Sequence, residues 1–433
     1  AALVTVGMLA AVATALVLAA AVAASQLLAG ARQPVLRLAT TNAPPELPLA
    51  PQQEWHLFLS HVWRTAQDSC NAIKRNLQIL LPGVSIFLDT DDIGGAVGDL
   101  EKHVDAAAVV NIFVSKGYFM SKNCLREAIQ TVRKGKPLTL VFDPVWGAQG
   151  LSLEELMLEC PEVLPRPGDP PRKLRAHEEL TAEECQQIGM SGVAMRDEVF
   201  RIGRCPGTAA SGARDVIVWH RVKDFQLVML KALAYAALRL GGPASHPNQN
   251  LRFEHLYVSG ELSRRRLAFS KPVTVYASSD NPGALAAAHA LRAGMLSADG
   301  KPSEAVRVTE APDSVLSVQA GGAGASATHF LLYLNDQTYL RDAGGRLAEQ
   351  LRLARGGGVK VVMVHENDAA RGGCAFAIFL DGRTPEVLKS LYADLALALY
   401  SAAFWPVSVA LVAKALGAGE ASRGDTFTTS GAT

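Results

Sequence analysis

The chain has almost no net charge: 42 Lys and Arg against 41 Asp and Glu across 433 residues leave +1. That balance removes the electrostatic argument for a nucleic-acid partner, and none is expected. Paired cysteines are also missing. Cys70, Cys124, Cys160, Cys185, Cys205 and Cys374 form no C-x-x-C pair and no zinc spacing with histidine. Scattered single cysteines suit a reducing compartment and small buried apolar roles. Neither a P-loop nor a G-x-G-x-x-G run follows any strand pattern, which weakens a kinase or dehydrogenase reading.

Charge is wholly absent from Ala1–Ala24, and the first charged residue is Arg32. That run reaches the roughly 20 residues a bilayer requires, so residues 1–30 are expected to form a transmembrane helix. A signal peptide is the rival, because Ala21-Val22-Ala23 has the A-x-A form. Signal cores, however, run only about 7–15 apolar residues after a basic start. Arg32 and Arg37 follow the run, which places the units after it in the cytoplasm of a membrane-bound protein. Position 1 is Ala, which leaves an upstream portion open. Residues 31–53, ending NAPPELPLAPQQ, read as a Pro-rich linker. Leu395–Ala413 is a second uncharged run, kept as an alternative span.

What is present is an alternation of periods between Gly83 and Pro144. Val84, Ile86 and Leu88 alternate as a strand, a polar loop runs from Asp89 to Gly98, and an apolar run covers Val109–Val114. A helix then starts near Ser121, and a strand covers Leu138–Phe142. Short apolar strands between helices predict a parallel sheet covered on both faces. Upstream, Leu57–Ser60 reads as the opening strand and Asp68–Leu81 as a helix. Downstream, residues 145–214 read as an insertion with short helices at Ser152–Leu158 and Thr181–Ile188. Asp215–Trp219 and Lys223–Leu240 supply the last strand and helix. The fold expected over 54–240 is an α/β, flavodoxin-like sheet of five parallel strands in the order 2-1-3-4-5.

After a linker at 241–269, residues 270–416 repeat the pattern. Leu347–Arg355 lies over Leu125–Arg133 without a gap, pairing Glu349 with Glu127. Val273–Ser278 matches the opening strand, and Phe376–Leu380 with a helix at Glu386–Leu399 mirrors the last strand and helix. A tandem arrangement is expected, with a disordered tail at 417–433. Chance likeness between βα repeats is the alternative.

Five ordered motifs carry a resemblance. They are His56–His61; Gly83 with Ile86–Asp89; Asp91–Gly95; Phe113–Tyr118; and Ser121, Cys124, Leu125 and Glu127. Together they resemble the Toll/interleukin-1 receptor (TIR) domain family in its plant-type pattern. Asn123 stands where plant-type members usually carry Trp. The resemblance implies signalling by self-association or by binding other TIR domains. It also implies that Glu127 is the catalytic residue in enzymatic members, which cleave the nicotinamide–ribose bond of NAD+. A carboxylate would there steady an oxocarbenium-like ribosyl cation. NAD+ enters as substrate, with no permanently bound cofactor and no metal.

Phe58, Ser60, His61, Trp63, Asp89, Asp92, Gly94, Gly95, Ser115, Tyr118 and Cys124 are the residues expected around that site. Glu127 is placed at the rim of a cleft, pointing to open space. A solvated glutamate stabilised by the helix dipole is its plain alternative. Cys124 reads as a small core residue, His61 and His103 as surface or satisfied histidines, and the second unit as inert. A membrane-tethered signalling protein with NAD+ hydrolase chemistry, and a non-catalytic TIR scaffold, both stand.

Overall fold

A computed structural model describes residues 34–88, 100–143, 153–159, 199–200, 216–220, 222–243, 245–258, 261–262, 267–296, 301–311 and 327–420. The chain divides into two units between Glu261 and Leu262. The first contains β1 (Leu36–Leu38), β2 (Trp55–Ser60), α1 (Trp63–Leu80), β3 (Ile86–Phe87), α2 (Leu100–Ala106) and β4 (Ala107–Val114). There follow a 3-10 turn at Tyr118–Met120, α3 (Lys122–Arg133), β5 (Leu138–Phe142), α4 (Leu153–Glu159), β6 (Val216–Val218), α5 (Lys223–Leu240) and β7 (Leu256–Val258).

Five of these strands form a sheet in the order β3-β2-β4-β5-β6, every pair parallel. Counted along the chain this is 2-1-3-4-5, the flavodoxin-like order. All eight residues of β4 are buried. Its alternation sends Val109 and Phe113 into one core with α1 and α5, and Val110, Ile112 and Val114 into another with α3. On α1, Ala66, Cys70, Ile73, Leu77 and Leu80 keep spacings of three and four, which turns one stripe inward. Each such buried aliphatic side chain contributes about 1.5–3 kcal/mol.

The stretch before the sheet is no mere spacer. β1 pairs antiparallel with β7, and Leu36 is fully buried in the α1–α5 core, with Leu47 and Leu49 packed against it. The first unit thus extends beyond 54–240 at both ends. Its few apolar residues, scattered among prolines, gave no period to read.

The second unit contains β8 (Leu267–Ala268), β9 (Val273–Tyr276), α6 (Ala284–Gly294), β10 (Val306–Thr309), β11 (His329–Leu334), α7 (Arg341–Gly356), β12 (Lys360–Glu366), β13 (Leu397–Leu399), α8 (Trp405–Ala415) and β14 (Gly419–Glu420). Its parallel sheet runs β10-β9-β11-β12-β13, the same 2-1-3-4-5 order. In both units the helix with the matched sequence, α3 or α7, follows the third strand.

One assignment in the second unit is corrected. Phe376–Leu380 is not the last strand; Phe379–Arg383 forms a turn of π-helix and Glu386–Ala393 a 3-10 helix. The fifth strand is Leu397–Leu399, followed by α8. A five-residue apolar run has no period that separates strand from buried turn, and here Phe379 plugs the core beneath α7. The run Leu395–Ala413 is thereby split between a strand and an eleven-residue helix. Among the described residues no helix is long and apolar enough to cross a membrane. The segment expected to do so, residues 1–30, lies outside them.

Candidate functional site

Glu127 is brought to the carboxyl end of β2 by a chain of local decisions. Gly117 adopts φ 86°, a left-handed turn that side chains disfavour, and its amide donates to Glu159 Oε2 at 2.8 Å. The 3-10 turn then drops Tyr118 into the core, and Ser121 caps α3. One turn into α3, Glu127 meets β2 from the side.

There Ser60 Oγ donates to Glu127 Oε2 at 2.5 Å. A serine hydroxyl has one proton, so the Tyr118 hydroxyl, also 2.5 Å from Ser60 Oγ, is the donor of the second bond. The result is a relay from Tyr118 through Ser60 to a carboxylate. Burial, followed by the neighbouring Cys124 and Glu127, holds the Tyr118 phenol well above its ordinary pKa. Glu127 itself is only 4% exposed, which corrects the expectation that it points to open space. The reason is position: it follows Cys124 by three residues on the face that α3 turns toward the sheet.

The other expected residues divide. Ser60, Tyr118, Cys124 and Glu127 do come together, with Cys124 Sγ donating to the His61 carbonyl at 3.3 Å. The His61 ring is buried between the Leu59 carbonyl and Gln67 Oε1. Ser115 bonds Thr65 Oγ1 at 2.8 Å. Phe58 is core rather than cleft wall, 1% exposed and stacked on Phe87, which stacks in turn on His103. Trp63, at the start of α1, is 56% exposed. Asp89, Asp92, Gly94 and Gly95 lie outside the described residues. Beside the site, Arg126 makes a two-pronged contact to Glu101, both bonds at 2.7 Å, tying α3 to α2.

The second unit builds a counterpart that sequence matching misplaced by one residue. Tyr276 at the end of β9 and Ser278 just past it repeat the spacing of Phe58 and Ser60 on β2. Ser278 Oγ donates to Gln350 Oε1 at 2.5 Å. The inward residues of α7 are Leu347, Ala348, Leu351 and Ala354, which pair in order with Cys124, Leu125, Ala128 and Thr131 of α3. In that register Gln350, not Glu349, answers to Glu127. Glu349 faces solvent and pairs with Arg352. Gln350 also donates to Asp280 Oδ2 at 2.9 Å, and Asp280 is held by Arg346.

No family model matches the chain, and no curated protein does either.

Proposed function

We propose that the chain is a signalling protein whose first unit is TIR-like and acts by self-association or by binding other TIR domains. The observation that carries this reading over catalysis is the burial of Glu127 against Ser60, which offers the carboxylate to no substrate in this conformation. The ordered motifs on a 2-1-3-4-5 sheet support the family. The uncharged run Ala1–Ala24 would tether the protein to a membrane, with both units on the cytoplasmic side. Sedimentation of the chain lacking residues 1–33 tests the assembly: concentration-dependent growth supports it, and a monomer at all concentrations refutes it.

A second reading, NAD+ cleavage through Glu127, is favoured by one comparison within the molecule. In the second unit a neutral glutamine makes the same bond to serine. Packing at that position therefore does not demand a charge. A buried carboxylate costs desolvation, so charge beyond structural need marks a functional candidate. Ser60 and Glu127 also sit where parallel sheets collect ligands. Protein clustered on beads and incubated with NAD+ should release nicotinamide, and Glu127→Gln should release none. Equal release by both, or none from either, would leave the scaffold reading.

A further inference from the structure

We infer that the β1–β7 ribbon is an openable clasp. It joins the chain entering the first unit to the chain leaving it, and it unzips when the two are drawn apart. The inference is independent of the proposed activity.

The register carries the argument. Leu36 faces Val258 and Leu38 faces Leu256 in an antiparallel pair. In that arrangement Pro34, upstream of Leu36, and Glu261, downstream of Val258, lie past the same end of the ribbon. A load applied across those two points meets the ladder one pair at a time, from that end, rather than all pairs at once. The ribbon is three residue pairs long and, among the described residues, joins no other strand. Two-stranded ribbons of this kind are marginal alone. The five-stranded sheet, with its cores on both faces, belongs to the high-stability end of the structure.

The loaded end is pinned and the far end is tied. At the exit, the Glu261 carboxylate accepts from the Val258 amide at 3.2 Å and from Lys231 Nζ of α5 at 3.1 Å. Past the other end, the Ala39 amide donates to the His255 carbonyl at 2.7 Å, and Asn248 Nδ2 donates to the Glu46 carbonyl at 2.9 Å. Opening must break the Glu261 pin first, then withdraw Leu36 and Val258 from the core. The clasp therefore resists thermal fraying and yields to directed separation of its two chain ends.

Single-molecule extension of the full chain tests this, with click-chemistry handles at positions 34 and 262. The expected first step occurs below the force that breaks the sheet and lengthens the chain by on the order of 100 Å. Arg37 and Tyr257 face each other, within the separation that a disulfide spans. Arg37→Cys with Tyr257→Cys, oxidised, should abolish the first step, and a reductant should restore it. Glu261→Ala, which needs no cysteine, should lower the force of that step. A first step the length of the whole first unit would overturn the clasp. So would a step that neither the crosslink nor Glu261→Ala alters.

Discussion

Ser278 donates to Gln350 at 2.5 Å in the second unit, and Ser60 donates to Glu127 at the same distance in the first. The two hydrogen bonds are alike, yet only one acceptor can carry a charge. In the second unit the amide nitrogen is used as well, donating to Asp280. The exchange of carboxylate and amide is therefore not symmetrical.

Glu127→Gln should change the stability of the first unit by less than about 1 kcal/mol, since a glutamine oxygen still accepts the Ser60 proton and the weaker bond is offset by the desolvation a buried carboxylate costs. Gln350→Glu should cost the second unit about 1–3 kcal/mol, because it removes a donor to Asp280 and sets a second carboxylate against it. Ser60→Ala, which takes a donor from a buried carboxylate, should cost the first unit about 1.5–3 kcal/mol. Urea denaturation of each variant reads all three. Equal costs for the two reciprocal exchanges would show that the sites are not counterparts.

The sequence carried the sheets further than the site. Leu138–Phe142 and Lys223–Leu240 were legible to the residue, the first as a short apolar run bounded by Pro137 and Pro144, the second as a long helical pattern. Gln350 was hidden because α7 is entered differently from α3. Tyr339, just before α7, and Arg341, its first residue, take left-handed φ values of 64° and 56°, where α3 is preceded by Gly117 and a capping serine. An ungapped alignment cannot register that change of entry, so it chose the glutamate one residue away. The burial of Glu127 was illegible for a related reason. A helix stripe shows which residues face inward, but not that a hydroxyl on a neighbouring strand will meet one of them.

Acid should weaken the first unit through its buried histidines. Burial drops His220 from an ordinary 6.5 to about 4. The unfolded chain then takes up a proton below pH 6.5 that the folded chain refuses until about pH 4. Stability should fall as pH is lowered through that window, since stability rises with pH wherever the unfolded state binds more protons. His56, also lowered by burial, acts in the same direction. Its Nδ1 accepts from the Ser85 amide, so Nε2 carries the proton bonded to the Leu47 carbonyl, and a second proton would displace Ser85. Urea midpoints at pH 7 and pH 4.5 should differ, and His220→Gln should narrow the gap. An unchanged gap in that variant would place the effect elsewhere.

Gly344, inside α7, is required by proximity rather than flexibility. A Cβ there would lie 2.4 Å from the carbonyl carbon and oxygen of Tyr339. Alanine ordinarily stabilises a helix by about 1 kcal/mol relative to glycine. Here the backbone of the strained turn must move, at about 1–3 kcal/mol, the ordinary range for overpacking. Gly344→Ala should therefore destabilise the second unit, while the exposed neighbour Gly345, with nothing within 4 Å of its Cβ, should gain from the same change. Thermal melts of the two variants separate the cases by sign.

The boundary of the first unit can be tested by where the chain is cut. A chain starting at Pro34 keeps β1, and one starting at Glu54 loses it. Without β1, Leu256 and Val258 lose their partner strand, and the space filled by Leu36 in the α1–α5 core is opened. Burial of one leucine contributes about 1.5–3 kcal/mol, and Leu47 and Leu49 pack on the same core. His56 Nε2 would also lose the Leu47 carbonyl it donates to at 3.2 Å. These losses fall on one small region and do not compensate each other. The shorter chain should unfold with a cost of at least about 3 kcal/mol relative to the longer. Equal urea midpoints for the two would return residues 34–53 to the status of a linker.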